Sequence, residues 1–121
     1  MNEKNILKYY VSEFKYEESS EEINAISLAV GRKVRAYTKC ENIDECDHFL
    51  LINETEISNK DNPDDAFNIK LVVKFECLCT DNKLSKELIK EEYCPYIEAI
   101  SNRILRELTD DMKISTIDLM N

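Results

Sequence analysis

The stretch Ile69-Lys70-Leu71-Val72-Val73-Lys74-Phe75-Glu76-Cys77-Leu78-Cys79 decides how the rest of the chain is read. Apolar residues hold every odd position, and Lys70, Lys74 and Glu76 fall between them. Successive side chains of a strand point to opposite faces, so this is a strand with one face buried. Upstream of it, Ser58-Asn59-Lys60-Asp61-Asn62-Pro63-Asp64-Asp65 concentrates turn chemistry and predicts a hairpin to the preceding strand. That strand, residues 46–57, sets Phe49 and Leu51 against His48, Leu50 and Ile52, so both its faces carry apolar residues. Residues 26–40 alternate Ile26, Leu28, Val30, Val34, Ala36 and Cys40 with Lys33, Arg35 and Lys39, a half-buried strand in which Gly31 is expected to make a bulge or bend. Residues 6–16 place Ile6, Tyr10, Phe14 and Tyr16 on one alternation and Leu7, Tyr9 and Val11 on the other, a strand apolar on both faces.

Downstream, the spacing of Leu84, Leu88 and Ile89 is helical, and Pro95 stands where the first turn of a second, longer helix tolerates a missing N–H. On the wheel of that helix Ile97, Ile100, Ile104, Leu105, Leu108 and Met112 span roughly half the circumference at 3.6 residues per turn. The tail Ile114-Ser115-Thr116-Ile117-Asp118-Leu119-Met120 is expected to run extended along the edge of the body. The prediction is therefore an α+β fold: one domain over residues 1–121, with a four-stranded antiparallel sheet followed by two helices packed on one face. Helices cover one side of a sheet, so strands apolar on both sides leave a surface for association. A homo-oligomer is expected, with Ile97, Ile100, Ile104, Leu105 and Leu108 as candidate interface residues.

The chain has 121 residues, 43% of them hydrophobic and 34% charged, which suits a single core. Its 16 Lys and Arg against 25 Asp and Glu leave a formal charge of -9, a field that disfavours nucleic acid as a partner. Gly31 is the one glycine, so a Gly-rich phosphate cradle cannot be built in its usual form. No apolar run reaches the roughly 20 residues of a membrane-spanning helix, and no membrane insertion is expected. The five cysteines are an odd number, and no N-terminal stretch reads as a secretion signal, so a cytoplasmic protein with free thiols is expected.

Few residues invite chemistry. Cys46 and His48 share a strand face, with Cys40 near them in sequence, but a fourth zinc ligand and regular spacing are missing. The same Cys46 and His48, two apart on a strand, seldom aim at each other as a catalytic pair must, so a small hydrolase is a distant third possibility. Cys77 and Cys79 lie on the face of Leu71, Val73 and Phe75 and read as core. The pairs Asp64-Asp65, Glu91-Glu92 and Asp110-Asp111 fall in turns or helix ends and read as solvated charge. No enzyme, no metal and no cofactor is expected.

Four strands, then Cys94-Pro95-Tyr96 opening a long helix that carries Arg103 and Leu108, then Ile117-Asp118-Leu119, make an order that resembles the SecB-type export chaperones. Ala66-Phe67 is similar to the Ala-Phe that begins that family's fourth strand. The resemblance implies a homotetramer, a dimer of dimers, that binds unfolded polypeptide clients in hydrophobic grooves without ATP and serves protein transport; a dimer is the alternative assembly. On that basis Leu7, Tyr9, Val11, Leu50 and Ile52 are the candidate client-binding residues. The chain departs from the family pattern where acids dock the translocation motor SecA. Lys15 stands for one acid and Lys70 for another, and the family's C-terminal helix has no counterpart before Asn121. A SecA contact is therefore doubtful. A dedicated client such as an antitoxin, guarded by some divergent members of the family, is expected over general export. The alternative is a non-catalytic oligomeric adaptor that buries its surplus apolar surface in its own interfaces.

Overall fold

Residues 68–78 do form a strand, and it is the spine of the sheet. The structure, a computed structural model, describes residues 6–17, 28–38, 48–60, 67–78 and 85–111. They form β1 (Ile6–Glu17), β2 (Leu28–Thr38), β3 (His48–Asn59), β4 (Asn68–Leu78), a one-turn helix α1 (Lys86–Leu88), a π-helical turn (Ile89–Tyr93) and helix α2 (Cys94–Asp111). The four strands make one antiparallel sheet in the order β1-β4-β3-β2. Consecutive strands β2, β3 and β4 are neighbours, as short connections favour. β1 instead joins the far side of β4, so β1 and β2 are the two edges.

The alternation of β4, and in β3 the packing of a strand apolar on both sides, resolves into a buried face and an open one. Phe49, Leu51, Asn53, Thr55, Ile57 and Asn59 of β3 and Ile69, Leu71, Val73, Phe75 and Cys77 of β4 are buried, while the residues at the alternate positions are half-buried or exposed. Helix α2 covers the buried face with Ile97, Ser101, Leu105 and Thr109, a stripe at four-residue spacing led by Tyr93 of the π turn. Tyr93 pins this end of the layer: its ring meets Phe49 edge-on at 5.1 Å and its hydroxyl donates to the Leu78 carbonyl at 2.7 Å. In mid-layer the Asn53 amide donates to Ser101 Oγ at 2.7 Å, and both side chains are buried. Asn53 Oδ1 and Thr55 Oγ1 have no hydrogen-bond partner among the described residues. Ser101→Ala would orphan the amide as well and is expected to cost about 1–3 kcal/mol in equilibrium unfolding. An unchanged denaturation midpoint would show that the bond contributes nothing.

Four expectations are corrected here. First, helical structure runs through Pro95 instead of restarting there. Ser85 caps the start, accepting the Leu88 N–H at 3.1 Å, and the Cys94 N–H bonds Ile89 O across the π turn. A wider turn ahead of Pro95 accommodates the ring that an unbroken α-helix would push against a carbonyl one turn back. Second, Gly31 makes no bulge: β2 pairs with β3 in unbroken register, with Gly31 opposite Glu56. Third, the irregularities lie in β1, between Ile6 and Lys8 and between Val11 and Glu13. Each inserts one residue and flips the alternation. Ile6, Tyr9, Val11, Phe14 and Tyr16 are thereby brought opposite the buried row of β4, and Lys8, Tyr10, Glu13, Lys15 and Glu17 opposite its other row. The strand is mainly apolar on one face, not on both. Fourth, Ile97 and Leu105 lie in the core of the chain itself, at 0 and 1% exposure, and as packed offer no surface for an interface.

The 18–25 connection, the 61–66 turn, Cys40, Cys46, Cys79, Leu84, Met112 and the 114–120 tail lie outside the described residues. No described helix is long and apolar enough to cross a membrane.

Candidate functional site

The exposed apolar side chains mark a candidate surface. Leu7, Tyr9, Tyr10, Val11, Val30 and Tyr37 are each between 40 and 50% exposed. Four of the six fall within five residues of edge strand β1. An edge strand also offers unpaired backbone N–H and C=O groups, so main-chain bonding and apolar contact are available together.

Helix α2 is tied to both edges by adjacent residues. Arg32 of β2 donates to Asn102 Oδ1, and Arg103 donates to the Tyr9 hydroxyl of β1. The two bonds orient the wheel, with the flank of Asn102 toward β2 and that of Arg103 toward β1. At about 100° per residue, Ile100 and Ile104 fall between Arg103 and the buried stripe, on the β1 flank. Both are half-buried, as is Leu108, and all three pack against the core. Ile100, Ile104 and Arg103 therefore lie on the flank of α2 toward β1, whose Tyr9 and Val11 stand in the row that faces the helix. Tyr9 is braced from below by Phe75, ring centroids 5.7 Å apart.

The five candidate client-binding residues do not share a surface. Tyr9 and Val11 lie opposite Phe75 and Val73 on the helix side. Leu50 and Ile52 lie opposite Glu76 and Lys74 on the open face and are half-buried there. Leu7 sits in the first irregularity of β1, exposed and without a pairing partner in β4. The reason is the phase flip between Ile6 and Lys8, which the alternation of letters does not reveal.

Across the open face the charges are interlocked. Glu13 meets Lys15 at 3.0 Å and Lys70 at 3.7 Å, Lys70 meets Glu54 at 3.1 Å, and Glu54 meets Arg35 at 3.7 Å. The hydrogen bond from Lys15 holds the Glu13 carboxyl below its ordinary range, helped by the charge of Lys70. Bonding to Glu54, with Glu13 nearby, raises Lys70. Lys15 and Lys70 are direct cross-strand partners, so the open face is no continuous acidic surface.

Nothing among the described residues assembles a reactive centre. No group of His, Cys, Asp or Glu converges as a metal site would. His48 begins β3, exposed and opposite Leu78. Burial pushes the Cys77 thiol up to about 12, which leaves it protonated and unreactive near neutral pH. Cys94 is shifted the same way by burial and by Glu98.

No family model and no curated protein matches the sequence. Among solved structures, the fold is similar to that of the Mycobacterium tuberculosis SecB-like chaperone Rv1957, solved in complex with a ChAD peptide from the Rv1956 HigA1 antitoxin. The TM-score is 0.63 at 9% identity, over 96% of this chain and 88% of that one. The fold is the SecB-like α+β fold.

Proposed function

We propose that this SecB-like chain is an ATP-independent holdase, binding unfolded or aggregation-prone polypeptide segments along β1 and the flank of α2. The observation that carries the reading is the run of exposed Leu7, Tyr9, Tyr10 and Val11 on an edge strand beside a helix. An extended client segment recognised there gains backbone hydrogen bonds from the edge and apolar contact from the helix flank. The antitoxin peptide held by a protein of the same fold supports a polypeptide client for this one. It also favours a dedicated client, such as an antitoxin, over general export. The proposal includes a homo-oligomer, tetramer or dimer, and excludes docking of SecA on the open face, because the interlocked Lys15 and Lys70 offset the acids there. Localisation in the cytoplasm belongs to the same reading.

The test is light scattering from a chemically unfolded polypeptide diluted into buffer without nucleotide. At stoichiometric ratio the purified protein is expected to suppress aggregation. Failure to do so from an intact oligomer would favour the adaptor, whose apolar surface is consumed in its own interfaces.

A further inference from the structure

We infer that Arg103 makes the surface between α2 and β1 selective for extended apolar segments that carry a carboxylate beside their apolar anchor. The inference rests on the chaperone reading and names the chemistry of its client. Arg103 is exposed, and its one recorded partner among the described residues is the neutral hydroxyl of Tyr9. Lys8, Lys15, Arg35 and Lys70 on the opposite face each lie within 3.7 Å of a carboxylate. A guanidinium offers five N–H donors in a planar fork that fits a carboxylate bidentately, and one phenol oxygen occupies only part of it. An incoming carboxylate adds charge-assisted bonds that a phenol cannot supply.

The surroundings fix what must flank that carboxylate. Ile100 lies one turn before Arg103 on the same helix flank, and Val11 lies next to Tyr9 in the row facing the helix. A segment that sets a carboxylate on Arg103 therefore places its neighbouring side chains against isoleucine, valine and tyrosine. The formal charge of -9 opposes an acidic segment at long range. At about 0.1 M salt that opposition is screened beyond about 10 Å, whereas a contact at Arg103 is far shorter.

Two fluorescent extended apolar peptides, identical except for Asp in one and Asn in the other, test the inference against the full-length chain at about 0.1 M salt, where the long-range repulsion is screened. The wild type is expected to bind the acidic peptide about threefold to tenfold more tightly. Arg103→Gln is expected to bring that ratio near one, Arg103→Lys to restore part of it, and Tyr9→Phe, which frees the guanidinium, to widen it. Equal wild-type affinities, or a preference that survives in Arg103→Gln, would overturn the role of Arg103 while leaving the holdase reading standing. If neither peptide binds the wild type, the holdase reading itself fails and this inference fails with it.

Discussion

Alanine at Ile97 or Leu105 is expected to lower the unfolding free energy by about 2–5 kcal/mol, and the double variant to be largely unfolded at room temperature. Both side chains are enclosed between α2 and the sheet, so truncation leaves a cavity that a packed layer cannot fully close. Alanine at Ile104, half-buried on the flank of the same helix, is expected to cost distinctly less in stability. Urea melts of the three single variants, followed by circular dichroism, separate the sites. If Ile97→Ala and Leu105→Ala kept the wild-type midpoint and changed only the sedimentation of the protein, the two residues would belong to a subunit interface and the core assigned to them would be wrong.

The second large effect is expected on client binding. Replacing Tyr9 and Val11 together by Ser is expected to weaken binding of an unfolded client about tenfold or more, since each loses apolar area that a bound segment would cover. Tyr9 also braces on Phe75, so folded content is measured alongside. Under the proposed site, serine at Leu50 and Ile52 is expected to weaken binding less, because those residues occupy the other face of the sheet. A client held across the open face would reverse the order of the two double variants, and that order, read by fluorescence anisotropy, decides between the faces.

These expectations divide along the line between local and distant information. Strands β3 and β4, their antiparallel pairing and the helical tract that follows are legible in the order of residues. A period of two or of 3.6 is carried by neighbours in sequence, and turn chemistry acts within a few residues. The four-stranded antiparallel sheet with a helical layer on one face follows from the same patterns. The apolar content of β1 was legible too, though not which of its residues face the helix.

What the order of residues does not carry is the partner of each element. The sheet order puts β1 beside β4, a pairing with no local signal, and only that pairing exposes the two register shifts that carry Tyr9 and Val11 to the helix side while Leu50 and Ile52 stay on the other. The roles of Tyr93 and Asn53 depend equally on contacts with residues distant in sequence, Leu78 and Phe49 for the one and Ser101 for the other. A helical wheel measures how wide an apolar stripe is. It cannot say whether the covering surface is the chain's own sheet or a second copy, and the packing of α2 decides that for Ile97 and Leu105, because a side chain enclosed by its own sheet has no surface left for another chain.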